Sequence, residues 1–480
     1  MPIMAGWDNV NRTRLLAIFR RAIALLCGFV ESGHADAMSA TLYLIAWVGT
    51  LLDQLGGVRL AGGVAGMAII LFLALEFRRQ RPMLQGVLAV LLAGGLIAVL
   101  NSADPWAVWF AAWRRGAAYA AFFFALGALR FAAQHSAIIL RCGQHLLSQP
   151  VRRRYLALTA GGHLFSIILS YGAIDLLGAM LRRSSAKARG RMMLAAYRGF
   201  GTMNCWSPLN IMTAVVSAAV PSADLRPLLP AGFGVAMLML AAGWWLDGRT
   251  PTAAETPAPS SDNWAIHLAV IALVVLVSVL AGLIGVRFGV GLSTGITAAV
   301  PMVALVWVLV QLRRRRAVVG LFGRRLKHFY RALPGFRGEA GVLAAGGFLG
   351  VALGAALPAG GLAPWLQVLP PLAVPLLVPV VLLATSLLGL NPIAIVAVIG
   401  AAVPDPRALG VAPAVLAFAC MLGWGVGVGM TPMSASAIAT ARWSDSDPWT
   451  VTVRWNAGFT ALALAIALVA IGLAHGMLSP

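Results

Sequence analysis

The chain has 480 residues, 60% of them hydrophobic and only 11% charged, with a formal net charge of +21. A soluble protein needs roughly a quarter charged residues to cover its surface, so the composition excludes a soluble globular domain and points to an all-α polytopic membrane protein. The basic excess sits in short arginine clusters between apolar runs, as the positive-inside rule expects, and not on a compact soluble domain, so no nucleic-acid partner is expected.

Near the start, Arg20 and Arg21 interrupt the first apolar run, which therefore reads as no cleavable signal. Runs close to spanning length follow at 58–75 and 83–100, and again at 263–284, 290–310 and 457–474. Cys27, Cys142, Cys205 and Cys420 lie far apart without metal-ligand spacing, which suits small buried residues and no metal site. No catalytic constellation stands out either. Asp445 and Asp447 in "RWSDSDPWT" come nearest, and read more simply as a turn or helix cap.

The first informative segment is 155–181. Arg152, Arg153 and Arg154 precede it, and Arg182, Arg183, Lys187, Arg189 and Arg191 follow it. Two basic flanks place both ends on the cytoplasmic side. The stretch between is long enough to cross once but not twice, so it is expected to form a re-entrant hairpin with its tip near Ser170-Tyr171-Gly172. The segment after it, 192–220, contains "RGFGTMNCWSPLNIM", too polar and too rich in Gly and Pro for an unbroken span. It is expected to be a broken helix, because freed backbone groups in lipid must be satisfied by protein, water or ligand.

The linker "DGRTPTAAETPAPSSD", 247–262, divides the chain into a first half, 1–246, and a second, 263–480. The basic run 313–331 marks the cytoplasm and reads as a solvated loop at the headgroups. The second half then repeats the pattern upside down. A hairpin over about 374–404 has its polar break at Thr385, Ser386, Gly389, Asn391 and Pro392, without basic flanks. A broken helix over 413–440 carries "GWGVGVGMTPMSASAIAT". Ser207-Pro208 and Thr431-Pro432 match, each a hydroxyl residue before proline. The expected architecture is about 10–12 transmembrane helices in two inverted repeats.

These two regions, about 155–220 and 374–440, resemble the ion transporter superfamily, which includes divalent-anion/sodium symporters, the large membrane subunits of TRAP transporters and arsenite-type carriers. "LLATSLLGLNPIAIVAVIGAAVP" is similar to its outer hairpin and "LGVAPAVLAFACMLGWGVGVGMTPMSASAIA" to the broken helix that follows. "FSIILSYGAID" and "FGTMNCWSPLNIM" fill the equivalent places in the first half. The Ser-Asn-Thr signature of the dicarboxylate branch is absent at both tips, where Ser170-Tyr171-Gly172 and Thr385-Ser386-Leu387 stand. The resemblance implies a secondary active transporter of a small anion, an organic acid or inorganic oxyanion. It further implies coupling to sodium or protons, elevator-type alternating access, a homodimer and a bacterial inner-membrane location among membrane lipids. The substrate-binding residues carried over by position are Ser170, Thr202, Asn204, Ser207 and Asn210, then Thr385, Ser386, Asn391, Thr431, Ser434 and Ser436. Hydroxyls and amides at half-helix N-termini suit an anion. No organic cofactor is expected, and carbonyls freed at the breaks can coordinate sodium.

Two intramembrane charges complete the site expectation. Asp175 in the first hairpin and Arg198 in the first broken helix lie at similar depth, and are expected to pair with each other or to serve coupling or substrate. His163 reads as a hydrogen-bonded structural residue. Two other readings remain open: a polytopic enzyme acting on lipid-linked substrates, and a membrane subunit of a multi-component transporter. The short loops and scattered acidic residues disfavour the enzyme, and without a Walker motif ATP coupling within this chain is not expected.

Overall fold

The computed structural model describes residues 35–182, 184–248, 265–313, 317–358 and 362–479. Arg20, Arg21, Cys27, Arg183, the linker residues 249–262 and the arginines at 314–316 lie outside the described residues, as does the side chain of Arg152. The protein is an all-α polytopic membrane protein. Among the described residues, nine helices are long and apolar enough to cross a membrane. Proline opens several helices, Pro82, Pro105, Pro392 and Pro413 among them. Its missing N–H costs nothing there, since the first helical N–H groups have no intrahelical partner.

One group of helices forms a scaffold. It comprises α1 (Ala35–Gly56), α2 (Arg59–Glu76), α3 (Pro82–Leu100) and the long α4 (Pro105–Gln134). After the short α5 (Ala137–Leu147) the chain enters the segments treated below, and the scaffold resumes with α11 (Ala265–Phe288), α12 (Leu292–Leu312), α13 (Val318–Ala332) and α14 (Arg337–Ala356). Helices α4 and α14 meet backbone to backbone. A Cβ on Gly116 would stand 2.6 Å from the Ala344 carbonyl oxygen, and one on Gly347 would stand 3.0 Å from Gly116 Cα. Small residues bring helices together in lipid this way, where dispersion and not hydrophobicity drives association. The basic run read as a loop is in fact largely the amphipathic helix α13, with Phe322, Leu326 and Phe329 on one face. The arginines are spaced so that this apolar face stays intact.

The second group holds two similar units. In the first, α6 (Val151–Leu169) turns at Ser170, which takes φ 53°, into α7 (Gly172–Met180). Next come α8 (Ala186–Met203), the unwound residues 204–210, α9 (Ile211–Ala219) and the span α10 (Leu228–Gly243). In the second unit, after the short α15 (Ala363–Leu366), α16 (Ala373–Leu387) turns through Gly389, φ 79°, into α17 (Pro392–Ala402). Then follow α18 (Pro413–Val428), the unwound residues 429–434, α19 (Ala435–Trp443) and the final span α20 (Ala457–Leu478).

The two units interlock reciprocally. Each first arm packs on its own broken helix, α6 on α8 and α16 on α18. Each second arm packs on the far half of the other unit's broken helix, α7 on α19 and α17 on α9. Both cross-contacts are tight at glycine. Trp443 covers Gly178, and a Cβ on Gly400 would meet the Ala219 carbonyl at 2.6 Å.

The linker also begins later than its composition suggests. Helix α10 continues as a π-helical turn over Trp244–Gly248, so Asp247 is the end of a helix and not the first residue of a flexible stretch.

Candidate functional site

The first helix break is held together by its own polar side chains. Asn204 Nδ2 donates to the Phe200 carbonyl at 2.7 Å, and Asn210 Nδ2 donates to Asn204 Oδ1 at 2.7 Å. Asn210 Oδ1 accepts from the Met212 amide at 2.9 Å, so the same side chain caps α9. Thr213 Oγ1 donates to the Ser207 carbonyl at 2.9 Å. Backbone groups freed by the break thus find protein partners, as hydrocarbon requires. Thr202 Oγ1 donates to the Arg198 carbonyl at 3.0 Å and lies 3.2 Å from His163 Nδ1. Trp206 Nε1 donates to His163 Nε2 at 2.9 Å. That makes Nε2 the acceptor, so in the neutral ring Nδ1 carries the proton toward Thr202. His163 therefore ties the first hairpin arm to the break.

The second break is organised similarly. Thr431 Oγ1 donates to the Gly427 carbonyl at 3.1 Å. Ser434 Oγ caps α19 by accepting from the Ala437 amide at 3.1 Å, and sits 3.1 Å from Ser436 Oγ. Ser386 of the second hairpin lies against the same segment, since a Cβ on Gly427 would stand 2.7 Å from its Oγ. The tip follows it in, with Met433 Sδ 2.8 Å from where a Cβ on Gly389 would be. Ser386, Thr431, Ser434 and Ser436 are thus brought to one break.

Three candidates are held by local contacts or form a turn. Thr385 Oγ1 donates to the Val381 carbonyl of its own helix at 2.7 Å, and Asn391 Oδ1 caps α17 through the Ile393 amide at 2.9 Å. Ser170 forms the turn of the first hairpin, whose tip docks on the scaffold and not on a break. Tyr171 OH donates to Glu339 Oε1 on α14 at 2.8 Å, and the Arg130 guanidinium of α4 lies 4.9 Å over the Tyr171 ring. Tyr171→Phe is expected to lower stability in detergent by about 1.5 kcal/mol, the low end for a hydrogen bond to a charged group because the contact is only partly buried. A denaturation curve for the variant, with Tyr171→Leu as the packing control, checks this.

The two breaks cross. A Cβ on Gly425 would overlap Cys205 Sγ and stand 3.1 Å from the Cys205 nitrogen, and one on Gly201 would reach the Gly425 carbonyl at 3.7 Å and Gly429 Cα at 3.9 Å. Tyr197 OH donates to the Val428 carbonyl at 3.1 Å. Asn456, at the foot of α20, links the two breaks. Its Nδ2 donates to the Gly429 carbonyl and its Oδ1 accepts from Arg198 Nε, both at 2.9 Å. Between Arg198, Thr202, Gly425, Gly429 and Asn456 remains a void of about 10 Å³, the scale of a single water and too small for an organic acid. Ser207 Oγ and Ser386 Oγ are buried and have no hydrogen-bond partner among the described residues.

Asp175 and Arg198 do not pair with each other. Arg198 is buried, with Nη1 2.6 Å from Asp247 Oδ2 and 2.6 Å from Tyr155 OH, Nη2 3.3 Å from the Trp455 carbonyl, and its guanidinium 4.8 Å over the Phe459 ring. Asp175 accepts from Arg442 Nη2 at 2.5 Å and Trp443 Nε1 at 2.9 Å, through the cross-packing of α7 on α19. Both partners are distant in sequence, and Asp247 was hidden by its neighbours' linker-like composition. Tyr197 and Asn456, which line the void, and Tyr155 and Asp247, which hold Arg198, are the residues that pattern alone misses.

No family model matches the chain, and no curated protein matches it. Among solved structures, the transporter YdaH of Alcanivorax borkumensis, described as having an unusual topology, superposes with a TM-score of 0.51 at 16% identity. The match covers 83% of this chain and 99% of that one. The likeness is one of fold.

Proposed function

We propose that this chain is a secondary active transporter of a small anion, an organic acid or inorganic oxyanion, coupled to sodium or protons across the bacterial inner membrane. The observation that carries the reading is the buried crossing of two helix breaks, each joining the carbonyl end of one half-helix to the capped N-terminus of another. Such paired ends offer both signs of partial charge within the membrane, carbonyls for a cation and N–H groups for an anion. The likeness in fold to a transporter supports the same reading. The two hairpin units read as re-entrant and inverted, and move as one body against the scaffold in an elevator-type cycle, within a homodimer. A water-sized void at the crossing fits a closed state that must open before substrate enters.

The two buried hydroxyls supply the test. Among the described residues neither Ser207 Oγ nor Ser386 Oγ has a partner to lose, so Ser207→Ala and Ser386→Ala should leave the stability of the ligand-free protein unchanged. If these hydroxyls turn to a bound anion or coupling ion, each replacement removes a hydrogen bond to a charged group, and affinity falls about ten-fold or more. Purified protein in proteoliposomes, screened with small organic acids and oxyanions under sodium or proton gradients, reads this directly. Wild-type uptake kinetics in both variants would place the site elsewhere, and no uptake of any anion under either gradient would remove the proposal.

A further inference from the structure

The amphipathic helix α13 covers an apolar groove that the proposed transport site does not use. The groove encloses about 240 Å³ between α1, α4, α12 and α13, and its walls are almost wholly carbon, from Trp47, Phe124, Ala304, Leu305 and Leu326 among others. Leu44 and Leu305 at its edge are exposed on the outside of the helix bundle. The space is too apolar to hold ordered water, which needs two or more polar partners. Tyr330 and Phe329 keep α13 in place above it. Tyr330 OH donates to the Ala37 carbonyl at 2.7 Å, and the Phe329 ring meets Phe124 edge-on at 5.7 Å.

One cation stands in the wall of this groove. Arg325 contributes to its wall, and Arg324, Lys327 and Arg331 lie on the same helix outside the lining. None of the four forms an ion pair among the described residues. An apolar slot bordered by the unpaired Arg325, on an amphipathic helix that carries three further cations, matches one chemistry, a fatty acyl chain attached to a phosphate. Basic pockets of this kind on the cytoplasmic side of membrane proteins hold anionic headgroups, and the helix's own amphipathicity keeps it at the headgroup boundary. We propose that the groove beneath α13 binds one anionic phospholipid, with an acyl chain between α1, α4 and α12 and the phosphate against Arg325.

The test uses the full-length protein, stripped of lipid in detergent and titrated with phosphatidylglycerol or with phosphatidylcholine of the same acyl chains. Native mass spectrometry reads the bound lipid. Phosphatidylglycerol should be retained preferentially. Arg325→Gln, an accessible substitution that leaves the apolar walls intact, should cut that preference by about five-fold, the weight of one cation near a headgroup. Leu326→Trp, which fills the groove, should reduce retention of both lipids. Equal retention of the two lipids by the wild type, or no change in either variant, overturns the proposal. So does full competition by glycerol 3-phosphate, which would make the site a headgroup anion site without a bound chain. A change in oligomeric mass in Leu326→Trp with lipid retention unchanged would assign the groove to a second copy of the chain and overturn it equally.

Discussion

Asp247→Asn is expected to destabilise the protein by about 2–3 kcal/mol, and its cost should not add to that of Arg198→Gln. Arg198 is only 2% exposed, so losing its carboxylate leaves a guanidinium in a nearly dry site with three neutral partners. Removing one member of a fully buried pair costs about 3–5 kcal/mol. Asp247 is 43% exposed and shares its charge with water, which sets the expectation lower. With both charges gone there is nothing left uncompensated, so the double variant should fall short of the summed single costs by about 1 kcal/mol or more. The contrasting pair is Asp175→Asn with Arg198→Gln. Asp175 binds Arg442 and Trp443 instead, and its effect should add to that of Arg198→Gln within about 0.5 kcal/mol. Denaturation of the five variants in detergent measures both couplings. A strong Asp175–Arg198 coupling with none between Arg198 and Asp247 would contradict the pairing described here.

That pairing shows where the sequence was informative and where it was not. The spans were legible, because an apolar run near bilayer thickness has few alternatives. The breaks were legible too. Ser207-Pro208 and Thr431-Pro432 interrupt otherwise apolar segments, and both fall in unwound backbone between half-helices. The partners of the intramembrane charges were not legible, because depth along a helix says nothing of the direction a side chain faces. Arg198 and Asp175 stand at similar distances along the chain from their basic flanks, but the cross-packing of α7 on α19 turns Asp175 toward Arg442. Asn456 gave no signal at all. It stands at the start of a plain apolar span, and matters only because the fold sets that end beside Gly429. The amphipathic face of α13, by contrast, could have been found. Phe322, Leu326 and Phe329 recur at helical spacing beneath the arginines.

Gly425→Ala is expected to cost about 3 kcal/mol, the upper range for adding a methyl to a close-packed interior, whereas Gly201→Ala should leave stability nearly unchanged and still stop transport. The two glycines face each other across the same crossing but meet different neighbours. A methyl on Gly425 overlaps Cys205 Sγ and presses on the Cys205 nitrogen at 3.1 Å. Cys205→Ala should therefore restore only part of the loss, since it frees the sulfur but not the backbone contact. A methyl on Gly201 meets the Gly425 carbonyl at 3.7 Å, an ordinary contact, and alanine in a helix gains back what glycine loses in backbone entropy. That methyl nevertheless enters the void of about 10 Å³ between the breaks. If the coupling ion or the anion occupies the crossing at any stage, Gly201→Ala should fold and melt as the wild type does while uptake in proteoliposomes is lost. Wild-type uptake by Gly201→Ala would mean that the crossing is a packing contact between two half-helix pairs and that the ligand path runs elsewhere in the bundle.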